Sequence, residues 1–278
     1  MYKNTIYANN PLNKSEKVLE ISHEIDQIKF DTEGDKLALL IQECLTNKKS
    51  SNLESNILIS YAFVIGYLKI LENKECFLAI SRIGFHLSLP LIVRHAYELW
   101  AAIYYSENCL RELINKDLKT SERESLNKKI IKLVTGTKIP EALLKTEKKY
   151  EKSIHTLDMI RALNKGKSDK ANDYYDILSE FCHPNFNFNW QQIGMYSQYD
   201  FRTMEFDPTY EKTLIFLFNL EKTALLGIKE SLNNISELCF EEYQIKWIEK
   251  ATVQEEINQE NTEKQKGSKY QKILKWFN

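Results

Sequence analysis

The sequence predicts an all-α fold, and three observations carry that prediction. Eight Gly and five Pro in 278 residues leave too few turn formers for a many-stranded sandwich or barrel. Apolar residues recur at helical spacing, three and four apart, through most of the chain. With 43% hydrophobic and 28% charged residues, the chain can bury a real core and is neither disordered, collagenous nor of low complexity.

Taken in order, Met1–Asn13 is polar and Asn-rich, with no apolar stretch of the kind a signal peptide carries, so a cytoplasmic location is expected. Residues 1–50 read as this polar segment followed by the first helices. Among them Asp35–Asn47 sets Leu37, Leu39, Leu40, Ile41, Cys44 and Leu45 mostly on one side. A helical core is expected over 51–250. It opens with a helix over Asn52–Glu72, whose uncharged run Ile57–Leu68 spans 12 residues, short of the roughly 20 that a membrane span needs. That run predicts a buried helix and no membrane span. Cys76–Glu107 is the central element, with Pro90 in its middle; the missing N–H and the ring clash predict a kink or a split there.

From Arg111 to Lys170 the balance turns basic, 16 Lys/Arg against 9 Asp/Glu, in a chain whose formal net charge is −1. Lys-rich stretches such as Glu141–Lys152 read first as solvated helix faces, although a basic surface can also draw a phosphate-bearing substrate. Asp169–His183 is a short helix stopped by Pro184. Pro184–Pro208 then holds seven aromatics, and Phe186, Phe188 and Trp190 alternate at period two, which suits a small β-hairpin insertion. Asp207 and Pro208 supply an N-cap and a first-turn proline for a helix over Thr209–Asn233, followed by another over Ser236–Lys250. Residues 251–278 form an exposed linker and a basic amphipathic tail carrying Ile273, Leu274, Trp276 and Phe277.

Several chemistries lack their residues. No glycine-rich dinucleotide or P-loop motif is present, nor a nucleophile elbow or an H-E-x-x-H pair. The five cysteines are scattered, with no C-x-x-C, which fits reduced thiols and implies no metal site and no cofactor.

Two motifs remain. Arg94 and Glu98 stand four apart on the central helix, and Ala101 on the same stripe leaves room for another element to approach. As an exposed ion pair they would contribute only about 0.2–0.5 kcal/mol. Flanking Val93, Ala96 and Trp100 argue instead for partial burial, where an unpaired charge is expensive. Tyr175, Ser179 and His183 share one face of the short helix, while Tyr174, Ile177, Leu178 and Phe181 fall on the other. That polar face is either wet or turned into a cleft or dimer seam. His183 sits in the last turn, where the helix dipole favours an imidazolium and suits acid–base work near neutral pH.

A helix with R-x3-E, followed some 80 residues later by a short helix ending in S-x3-H-P, resembles prokaryotic domains of the HEPN superfamily of helical bundles. The likeness rests on Arg94, Glu98, Ser179 and His183 and spans about Ser51–Lys250. It implies a HEPN-like bundle with a kinked central helix. It also implies a homodimeric, metal-independent RNase of a toxin–antitoxin or phage-defence system, with RNA as substrate and an antitoxin or other protein as partner. The superfamily's usual R-x4-6-H arginine is missing, because Leu178, Ile177 and Asp176 occupy its positions. In the catalytic reading, Arg94 therefore has to reach His183 by helix packing. His183 would take the 2′-hydroxyl proton, Arg94 would stabilise the phosphate, Glu98 would orient Arg94, and Ser179 or Tyr175 would donate a hydrogen bond. Two other readings use the same five residues: a non-catalytic interaction or dimerisation module with a structural polar network, and a small-ligand sensor.

Overall fold

In a computed structural model of the chain, the described residues are 15–46, 53–83, 88–114, 118–135, 153–182 and 208–243. The structure is all-α, with no strand among the described residues. It divides into two compact units, Met1–Cys239 and Phe240–Asn278; of the second, only residues 240–243 are described. The hairpin expected over Pro184–Pro208, the Lys-rich Glu141–Lys152 stretch and the tail over 251–278 lie outside the described residues, apart from Pro208 itself.

Helix α1, Glu16–Gln27, is a local construction. The Ser15 side chain caps it by accepting from the Val18 N–H at 3.2 Å, Glu16 sits in the positive first turn, and Val18, Ile21 and Ile25 form one buried stripe. Its carboxyl end is closed from a distance: the Lys74 ammonium, itself buried, donates to the Asp26 carbonyl at 3.0 Å and the Ile28 carbonyl at 2.8 Å. A cation there satisfies two terminal carbonyls and complements the negative end of the dipole. Helix α2 follows over Asp31–Thr46.

The next run is continuous, which corrects the expected break after Glu72. Helix α3, Leu53–Tyr61, passes through a π-helical segment, Ala62–Leu68, into α4, Lys69–Ile83. Asn73 and Lys74 fall between the two expected helices, but both are buried because partners from other helices meet them. A Cβ at Gly66 in the widened segment would stand 2.6 Å from Leu232 and 2.9 Å from Ile103, so a side chain there would have to displace both. The Ile57–Leu68 run is not uniformly buried, since Val64 and Leu68 are each 47% exposed. By length and composition alone, Leu53–Arg82 is long and apolar enough to cross a membrane, with 33% of its apolar window buried.

The expected Cys76–Glu107 helix is two helices. α4 ends at Ile83, and α5, Leu89–Ile114, starts with Pro90 in its first turn, where the missing N–H costs nothing. Pro90 therefore begins a helix and does not kink one. α5 packs against α4 and against α6 (Thr120–Thr135), α7 (Thr156–Gly166) and α8 (Ala171–Cys182). α7 is capped by His155, whose Nδ1 accepts from the Leu157 N–H at 3.2 Å. The Asn164 side chain on α7 in turn accepts from the Asn172 N–H near the start of α8.

The last helix, α9, runs unbroken over Pro208–Glu242, replacing the two helices expected on either side of Asn234. Its polar residues bond to the helix itself: the Ser236 hydroxyl returns to the Leu232 carbonyl at 2.9 Å, and the Asn233 amide donates to Glu237 at 2.6 Å. α9 is the second hub of the fold. Phe218 meets Phe77 of α4 edge to face, Asn234 donates to the buried Glu107 of α5 at 3.0 Å, and Asn233 accepts from Lys36 of α2 at 2.7 Å.

Candidate functional site

α8 is fixed against the bundle by its apolar and aromatic residues before any polar contact is considered. Ala171 and Leu178 are fully buried, and the Tyr174 ring lies edge-on to Tyr97 of α5, 6.3 Å away, and to Phe216 of α9, 5.9 Å away. This clamp turns Tyr175, only 6% exposed, toward the start of α5. Of the settings open to the polar face, the Tyr175 end thus takes an interior one, and Ile177, expected on the apolar side, is 39% exposed.

Tyr175 meets both members of the R-x3-E motif there. The Arg94 Nη2 donates to the Tyr175 hydroxyl at 3.0 Å, the hydroxyl donates to Glu98 Oε1 at 2.9 Å, and Arg94 Nε donates to the same oxygen at 3.2 Å. The guanidinium carbon also stands 5.1 Å from the centre of the tyrosine ring, a cation–π contact. The three groups close a ring of hydrogen bonds between two helices 77 to 81 residues apart in sequence.

The ring is not sealed from solvent. The Arg94 and Glu98 side chains are 29% and 32% exposed, and the guanidinium has five N–H donors, more than its partners in the ring consume. Burial works against the Arg94 charge, but the Tyr175 hydrogen bond and Glu98 outweigh it and raise its pKa further. Burial pushes the Glu98 carboxyl up, yet His95, Tyr175 and Arg94 together hold it below its ordinary value. Burial, opposed by Arg94 and reinforced by the Glu98 charge, pushes the Tyr175 hydroxyl up. At neutral pH the site therefore presents a fixed cation, a carboxylate and a neutral phenol.

The other expected site residues fare differently. Ser179 is one turn beyond Tyr175, and its hydroxyl donates to the Tyr175 carbonyl at 2.7 Å, so its proton is engaged within its own helix. His183 lies outside the described residues. Two unforeseen residues join the site. Cys182, the last residue of α8, lies near enough to Arg94 to feel its charge, and burial, opposed by Arg94, pushes its thiol up. His95 is half exposed, with its Nδ1 4.0 Å from Glu98 Oε2. Its signal was visible, since it adjoins Arg94 and precedes Glu98 by three positions, one helical turn away. Cys182 lay seven residues beyond Tyr175, on the same stripe.

Among the described residues, no three His, Cys, Asp or Glu side chains gather closely enough to hold a metal ion, and none of the five cysteines is in a disulfide, Cys109 and Cys239 being buried and Cys76 exposed. The basic α6–α7 region is partly neutralised by ion pairs, Lys129 with Glu112 of α5, Arg161 with Asp158 and Lys167 with Glu230 of α9. Compared with known proteins, the chain matches no family model, no curated protein and no solved structure.

Proposed function

We propose that this chain is a HEPN-like, metal-independent endoribonuclease, acting as a cytoplasmic homodimer in a toxin–antitoxin or phage-defence setting. The observation that carries the reading is the hold of α8 on Arg94 through Tyr175, which sets Arg94 near enough to Cys182 to act on its thiol, because Cys182 is joined by one peptide bond to His183. In this reading Arg94 stands in for the superfamily's missing arginine from another helix. In the reaction, His183 takes the proton of the ribose 2′-hydroxyl and the 2′-oxygen bonds to phosphorus. The P–O5′ bond breaks, leaving a 2′,3′-cyclic phosphate and a 5′-hydroxyl end. Arg94 stabilises the charge that builds on the phosphate oxygens, with Glu98 and Tyr175 holding its plane in place.

The test is cleavage of RNA by the purified chain in EDTA, together with growth on expression. Wild type is expected to cut and to arrest growth, while His183→Ala and Arg94→Ala do neither. Uncut RNA with wild type, or equal cutting by His183→Ala, refutes the reading.

One observation favours the non-catalytic alternative, a structural interaction module. The Tyr175 hydroxyl is satisfied on both sides, accepting from Arg94 and donating to Glu98, as in a registry lock between helices. Under that reading, Arg94→Ala lowers stability and changes nothing in an RNA assay.

A further inference from the structure

We infer that His95 is a second catalytic residue of this site, the general acid that protonates the 5′-oxygen leaving group. The inference rests on the ribonuclease reading above and completes it. Cleavage by the 2′-hydroxyl needs two proton transfers: one off the nucleophile, assigned to His183, and one onto the departing 5′-oxygen, which otherwise leaves as a strongly basic alkoxide.

The other proton-bearing groups described at the site are committed elsewhere. The Tyr175 hydroxyl donates to Glu98, the Ser179 hydroxyl donates to the Tyr175 carbonyl, and burial keeps the Cys182 thiol protonated. Arg94 stays charged and serves as a hydrogen-bond donor only. His95 alone combines a suitable group with access. Its side chain is 49% exposed, it follows Arg94 directly, and Nδ1 faces Glu98 Oε2 at 4.0 Å. The Glu98 carboxylate is divided between two tasks, Oε1 receiving Arg94 and Tyr175 while Oε2 faces the imidazole. With Nδ1 turned to the carboxylate, Nε2 on the opposite edge of the ring is left for the leaving oxygen. Arg94 and His95 both meet the Glu98 carboxylate, one at each oxygen, so a phosphate held by Arg94 stands beside the imidazole. The proton passes from Nε2 to O5′ as the P–O5′ bond breaks, and His95 recovers a proton from solvent.

The test compares two substrates of one nucleoside with the full chain: the dinucleotide uridylyl-adenosine, whose leaving group needs a proton, and uridine 3′-(4-nitrophenyl phosphate), whose leaving group does not. His95→Ala is expected to lose about 10²–10⁴-fold on the dinucleotide and to stay within tenfold of wild type on the nitrophenyl ester. His95→Gln, which fills the same space without an acid, repeats the pattern. His183→Ala loses both activities. Equal loss on both substrates in either His95 variant, or no loss on either, overturns the assignment while the ribonuclease reading stands. A wild-type chain that cleaves neither substrate removes the ribonuclease reading, and the assignment with it.

Discussion

Glu221→Gln isolates the energetics of the bundle in one substitution. Glu221 lies on α9 in the middle of the core, fully buried, with Oε1 accepting from Asn73 at 3.1 Å and Oε2 without a hydrogen-bond partner among the described residues. Burial, opposed by the Asn73 hydrogen bond, pushes its carboxyl from the ordinary 4.5 up to about 8. The folded chain therefore binds a proton that the unfolded chain releases at much lower pH. Between those two values the unfolded state holds fewer protons, so stability is complete at the acid end, falls as pH rises through the window and levels off above about 8. Each pH unit inside the window removes up to about 1.4 kcal/mol, so the whole loss amounts to several kcal/mol. Glutamine keeps the acceptor for Asn73 and the shape of the protonated acid but cannot ionise. Urea denaturation of both proteins at pH 5, 6, 7 and 8 reads the effect. The wild-type curve is expected to fall relative to the variant's with each step, leaving Glu221→Gln the more stable protein at pH 8. Curves that run parallel from pH 5 to 8 would refute the reasoning.

Other substitutions test the packing that sets the site. Gly227 of α9 lies against the Trp100 indole so closely that a Cβ would overlap the ring. Gly227→Ala should cost about 1–3 kcal/mol, read as a lowered melting temperature; an unchanged or raised Tm contradicts the contact. Lys74→Met removes the charged cap on α1 and should cost about 1–3 kcal/mol, with faster amide exchange concentrated in Glu16–Gln27. Uniform exchange along the chain would sink that expectation. Tyr175→Phe breaks both of its hydrogen bonds to α5 and leaves Arg94 less firmly held, so it should lower stability by about 1–3 kcal/mol and reduce RNA cleavage without abolishing it. Cleavage unchanged in this variant would separate the hydrogen-bonded ring from the chemistry.

The helical class and most of the apolar stripes are legible in the sequence because they depend on short-range spacing. α1 owes its start to Ser15 and its face to Val18, Ile21 and Ile25, all within eleven residues. The misplaced breaks share one physical cause. Asn73, Lys74 and Asn234 are polar and stand in the expected breaks, but each finds a hydrogen bond that allows the helix to continue. For Asn73 that partner is Glu221, 148 residues away, and for Lys74 it is the end of α1, 46 to 48 residues away. Periodicity carries no information about such partners. The split before Pro90 follows from proline chemistry, although the residue could not say whether it ended one helix or began the next.

The candidate site divides along the same line. The Arg94–Glu98 pair is a local i,i+4 contact and is read directly. Tyr175 is placed on the correct stripe with its partner unknown, since the angle at which α8 meets α5 is set by the Tyr97–Tyr174–Phe216 clamp across three helices. The roles of Cys182 and His95 depend on that same angle and on the division of one carboxylate between two neighbours.

The account turns on whether the polar groups at the start of α5 and the end of α8 cut RNA together. Mass spectrometry of RNA ends after incubation in EDTA with wild-type and His183→Ala protein tests this most directly. The account predicts 2′,3′-cyclic phosphate and 5′-hydroxyl ends from wild type and intact RNA from the variant. Intact RNA from wild type, or the same ends from both proteins, would contradict it.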